Sequence, residues 1–83
     1  MAATQQEDII RWLYTAKQEK ATHMIVVCDT FGHEDYPVNV SKKEDIHDKI
    51  KEYDGKNMQS IMEVYNLSMD IEDQINEHRT YNI

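Results

Sequence analysis

The chain has 83 residues, 40% hydrophobic and 30% charged, with two glycines, one proline and one cysteine. That length holds one domain, taken as residues 1–83, and the composition excludes a disordered tail or a disulfide scaffold. Sixteen acidic against nine basic residues give a formal charge of −7, the wrong sign for nucleic acid or an anionic membrane as a direct partner, and no apolar run approaches the roughly 20 residues of a membrane span.

Met1–Gln6 lacks a basic region followed by an apolar core, so no signal peptide is expected. The single Cys28 fits a reducing compartment, and the expected location is the cytoplasm. Thr4 followed by Glu7 is a capping-box pattern that starts a helix near Gln5. Ile9, Ile10, Leu13 and Ala16, with Trp12 beside them, carry that helix over Glu7–Lys20, with Arg11, Lys17 and Lys20 on its solvent face.

From Thr22 the pattern changes to strands. His23–Cys28 is short and β-branched, Gly32–Asp35 has loop chemistry, and Tyr36–Val40 alternates, which together predict a β-hairpin. Pro37 donates to no ladder, so the second strand has an open side there. With Phe31 set opposite Tyr36, one face carries Ile25, Val27, Asp29 and Phe31 with Tyr36, Val38 and Val40. The other carries Met24, Val26, Cys28 and Thr30 with Pro37 and Asn39. The first strand is therefore apolar on both faces, and a lone two-stranded sheet is marginal. Self-association supplies the missing cover, by pairing strand edges or burying second faces, so a homo-oligomer is expected. Cover by a long C-terminal helix of the same chain is the alternative.

Ser41-Lys42-Lys43-Glu44 is a second capping box, opening a helix whose apolar stripe is Ile46, Ile50 and Tyr53 and which ends at Asp54-Gly55. A further helix is predicted from Asn57 to about Arg79, with one stripe of Met58, Ile61, Met62, Tyr65 and Met69 and another of Val64, Leu67, Ile71 and Ile75; a break at Ser68, with Ser68-Met69-Asp70-Ile71 restarting a helix at an internal cap, is the alternative. The expected fold is α+β in the order αββαα.

Little here resembles catalytic machinery. His23 is in the same strand as Cys28 but points to the other face, so Cys28 reads as structural, and the neighbouring acid raises its thiol pKa. Asp29, His33, Glu34 and Asp35, or His47 and His78, are the candidate metal ligands, but the loop does not match EF-hand spacing, there is no HExxH or paired Cys/His motif, and neither metal nor cofactor is expected. Asp29 falls among apolar neighbours, where a carboxylate needs partners. It either accepts hydrogen bonds from loop amides or joins Thr30, His33 and Tyr36 beside Phe31 in a small site for a nucleobase-like ligand. On the last predicted helix, Glu63, Asn66, Asp70, Asp73 and Glu77 recur at spacings of three and four. They make a stripe of about 21 Å that would imitate a phosphate row, or else an ordinary solvated face.

The segments Ala21–Phe31 (ATHMIVVCDTF), His33–Val38 (HEDYPV) and Met62–Glu72 (MEVYNLSMDIE) are similar to a family of small proteins encoded by tailed phages and by prophage-carrying bacterial genomes. The resemblance implies a context, since small phage proteins without a virion or replication role often counter host defences. It implies no catalytic or ligand residues. The expected function is then a non-catalytic binding protein that antagonises bacterial defence. One mechanism inhibits a defence protein through Glu63, Asp70, Asp73 and Glu77. The other sequesters a signalling nucleotide at Asp29, Thr30, Phe31, His33 and Tyr36, with Arg11, Lys17, Lys20 or Arg79 meeting phosphate. The alternatives are a small metal-dependent hydrolase acting through Asp29, His33 and Asp35, and a structural subunit without a ligand.

Overall fold

Met24, Ile25, Val26 and Val27 are each at most 1% exposed, and successive strand residues point to opposite faces, so their strand needs cover on both sides. The computed structural model, which describes residues 6–32, 34–55, 58–77 and 80–83, shows how one chain supplies it. The elements are α1 (Gln6–Gln18), β1 (His23–Asp29), β2 (Glu34–Val40), α2 (Ile46–Tyr53), β3 (Gln59–Asn66) and α3 (Ile71–Asn76). The strands form one antiparallel sheet in the order β2-β1-β3. On one face Met24, Val26 and Tyr65 pack with Ile9, Leu13 and Ala16 of α1 and with Ile71 and Ile75 of α3. On the other, Ile25, Val27, Val40 and Val64 pack against Ile46, Ile50 and Tyr53 of α2. At about 1.5–3 kcal/mol for each fully buried aliphatic side chain, these two cores are the main stabilising term.

The class is α+β, but the order is α1-β1-β2-α2-β3-α3 and not αββαα. The predicted helix from Asn57 to Arg79 is instead β3 and the short α3; Asn57 and Arg79 themselves, like Thr4, His33 and His78, lie outside the described residues. β3 takes the place beside β1 that the sequence left vacant. The face left to a partner or to a long C-terminal helix is covered by α2.

The hairpin pairs from His23↔Val40 to Asp29↔Glu34, so Tyr36 faces Val27 and not Phe31. That slip of four positions is even, so every side chain within the paired strands keeps its predicted face. Phe31 leaves the strand for the turn that follows it.

At α1 the apolar stripe is Ile9, Leu13 and Ala16, with Ile10 half exposed on the outer side. The helix ends in a Schellman motif, with Lys20 N–H donating to Lys17 O and Ala21 N–H to Ala16 O, both at 3.0 Å. Lys20, at φ 59°, occupies the left-handed position that glycine usually fills. At α2 only half of the predicted capping box forms, Ser41 N–H donating to Glu44 Oε1 at 3.0 Å. The N-cap is Asp45, whose carboxylate accepts from His47 N–H and Asp48 N–H.

Candidate functional site at the hairpin end of the sheet

β1 stops at Asp29 because the Asp29 carboxylate takes over the backbone. Its Oδ1 accepts from Phe31 N–H at 3.0 Å and Gly32 N–H at 3.2 Å, an Asx turn that reverses the chain. This is the loop-amide arrangement, one of the two readings Asp29 had from sequence. Thr30 crosses to the start of β3, where its N–H (2.7 Å) and Oγ1 (2.5 Å) both donate to Met58 O. The Tyr36 hydroxyl accepts from Gln59 Nε2. Burial, then the nearby Tyr53 and Asp29, pushes the Tyr36 phenol above its ordinary pKa of 10.0, so it stays protonated. Phe31 stands clear of all this at 76% exposure.

The structure therefore brings Asp29, Thr30, Phe31 and Tyr36 to one end of the sheet, and His33 lies outside the described residues. It commits Asp29 and Thr30 to holding the turn. What they leave facing outward is a phenyl ring.

Met58 is the residue the sequence missed. Read as the first turn of a long helix, it sits beside Thr30 at φ 60° with 60% exposure. The signal was Asp54-Gly55, turn chemistry four residues earlier; Gly55 (φ 74°) donates its N–H to Gln59 O at 2.9 Å and sets the turn into β3.

Cys28 pairs with Asp35 across the hairpin. Burial first, then the hydrogen bond and charge of Asp35 and the charge of Asp29, push its thiol above the ordinary 9.0. A thiol held protonated is a poor nucleophile. Among the described residues, no three His, Cys, Asp or Glu side chains gather as metal ligands.

The acidic residues do not form one helical row. Glu63 lies on β3, where its carboxylate hydrogen-bonds Tyr65; burial, with this charge added, raises the Tyr65 pKa. Asp70 is the N-cap of α3, accepting from Asp73 N–H at 3.0 Å, and Glu77 is its C-cap. Asp70, Glu72, Asp73 and Glu77 nevertheless remain exposed together at the end of the molecule away from the hairpin turn.

Near that second end, Ala21, Thr22, His23, Asn66, Leu67 and Ser68 line an open cleft of about 310 Å³. His23 Nδ1 lies 2.9 Å from Thr22 Oγ1, and Nε2 is buried with no partner among the described residues. Burial, then His47, holds the His23 pKa below 6.5. Thr22 Oγ1 donates to Val40 O, and Asn66 Oδ1 accepts from Ser68 N–H and Oγ.

Among the described residues, no helix is long and apolar enough to cross a membrane. Compared with protein-family models, curated proteins and solved structures, the chain finds no match in any of the three.

Proposed function

We propose that this chain is a non-catalytic binding protein of the phage type that antagonises a bacterial defence system by occupying a basic face of a defence protein. One observation carries the reading. Asp70, Glu72, Asp73 and Glu77 are exposed within eight residues, with no Lys or Arg between them. Asp73 and Glu72 in the first turn favour the positive end of the α3 dipole, and Asp70 caps it, so these have a local use. Glu77 has none of that kind. It sits at the negative end of a helix whose last turn holds no base, where a carboxylate costs stability. An acid kept where the helix disfavours it is explained by a cationic partner. The phage context comes from the three segment resemblances, and the charge of −7 suits an antagonist steered onto a basic groove.

The test is phage plating on bacteria that carry a defence system and express this chain. Across a panel of such systems, the parent chain is expected to restore plating in at least one. The double variant Asp73→Lys/Glu77→Lys, shown by circular dichroism to fold, is expected to lose that restoration. No restoration anywhere, or restoration unchanged by the double variant, overturns the proposal.

A further inference from the structure

Phe31 is the most exposed large hydrophobic side chain among the described residues, at 76%, and Met58 on the adjoining turn is exposed at 60%. A fold that buries Met24 and Val27 completely gains nothing from leaving a phenyl ring in water. The ring is also held in place. Asp29 Oδ1 fixes the amides of Phe31 and Gly32, and Thr30 ties the turn to Met58 O through two hydrogen bonds. Met58 is kept in the left-handed region that residues other than glycine seldom adopt. A turn ordered in advance does not lose loop entropy on docking, and a rigid aromatic ring beside an adaptable thioether is the composition of an interface anchor.

The charge around the pair selects the occupant. Within residues 29–36 and 54–59 the described charges are the carboxylates Asp29, Glu34, Asp35 and Asp54, and the sequence adds one cation, Lys56, so acids outnumber bases four to one. Asp29 and Asp35 are engaged with the turn amides and with Cys28, while Glu34 and Asp54 are exposed. A phosphate or an anionic lipid surface meets like charge here. A protein pocket wide enough for a phenyl ring and rimmed by Lys or Arg meets both halves of the pattern.

We infer that the turn bearing Phe31 and Met58 is a docking tip for a basic-rimmed apolar pocket on a partner protein. The inference rests on the protein-binding reading above but uses a different surface, because β3 runs from this tip to α3 at the other end of the sheet.

The experiment is amide chemical-shift mapping of the full ¹⁵N-labelled chain with three synthetic peptides: alternating Lys/Leu, Lys alone, and alternating Ser/Leu. The Lys/Leu peptide is expected to shift residues 29–35 and 54–59. The Lys and Ser/Leu peptides are each expected to bind more weakly. Phe31→Ser, whose melting curve should match the parent because the ring is exposed, is expected to weaken Lys/Leu binding about tenfold. Shifts confined to α3 overturn the tip and leave the acidic-surface reading standing, whereas no binding by any peptide counts against both. Equal binding by Phe31→Ser removes the aromatic anchor, and equal binding of Ser/Leu removes the basic rim.

Discussion

Glu44 is exposed, yet its carboxyl is pulled from the ordinary 4.5 to about 2. The largest cause is Lys49, whose Nζ sits 2.7 Å from Oε2, followed by the amide of Ser41. A carboxylate whose folded pKa is lowered stabilises the fold fully above its unfolded value and loses that contribution as pH falls through the folded one. His23 acts in the same direction at higher pH: its folded pKa is below 6.5, so acidification charges the unfolded chain first. Melting temperature is therefore expected to fall in two steps, beginning below about pH 6.5 and again between about 4.5 and 2. Glu44→Gln should remove the lower step and leave the upper one, read by thermal melts across pH. Both residues stood in view in the sequence, Glu44 as a cap partner. Lys49 as its ion-pair partner did not, because the capping box was taken to open the helix four residues too early.

At the scale of elements, the hairpin faces, α1 and α2 were legible because each has a single period. β3 was not, and Met62 is the reason. It is the extra residue of a β-bulge, since Val26 pairs with Glu63 while Val27 pairs with Ile61. The bulge turns Ile61 and Val64 to the same face, where both pack in the α2-side core. That breaks the two-residue alternation of a strand, and Ile61 and Tyr65, four apart, then read as one helical stripe. Gln74 was unreadable for a different reason: its role exists only between distant segments. It is 1% exposed, its Nε2 donates to Asn66 O and Asp70 O, and its Oε1 accepts from Asn66 N–H and Asn82 Nδ2. One side-chain amide thus stands in for a strand at the edge of β3. Gln74→Leu is expected to cost about 3 kcal/mol in chemical denaturation, since it strands several partly buried polar groups at about 1–3 kcal/mol each. Gln74→Glu keeps the acceptors but loses both donors, and should recover part of the loss at low pH, where the carboxyl regains a proton to donate.

For the whole molecule, the question left by the sequence was what covers an apolar hairpin. The answer lies within one chain for the two faces and for one edge. Beyond Gln74, Val64 N–H donates to Thr80 O and Asn82 N–H to Val64 O, so residues 80–82 lie parallel along β3. The opposite edge is β2, which pairs only with β1 among the described residues and carries Pro37 at its centre and Glu34 and Asp35 at one end. Pro37 lacks an N–H and acids repel a copy of themselves, both recognised ways to blunt an edge. Pro37→Val is therefore expected to increase self-association, seen as faster sedimentation than the parent at matched concentration. Unchanged sedimentation would show that the proline does not guard this edge.

The strip of residues 80–82 also sets an order of events during synthesis. The β1–β2 hairpin is complete at Val40, but the β3 edge closes only when Thr80 and Asn82 arrive. About 40 residues separate the two, or about 2–8 s at ribosomal rates of about 5–20 residues per second. For the first part of that interval, until Tyr65 and then α3 are made, Met24 and Val26 depend on the N-terminal segment, chiefly α1, for cover. An apolar sheet face and a strand edge therefore stand open during synthesis that the finished chain covers.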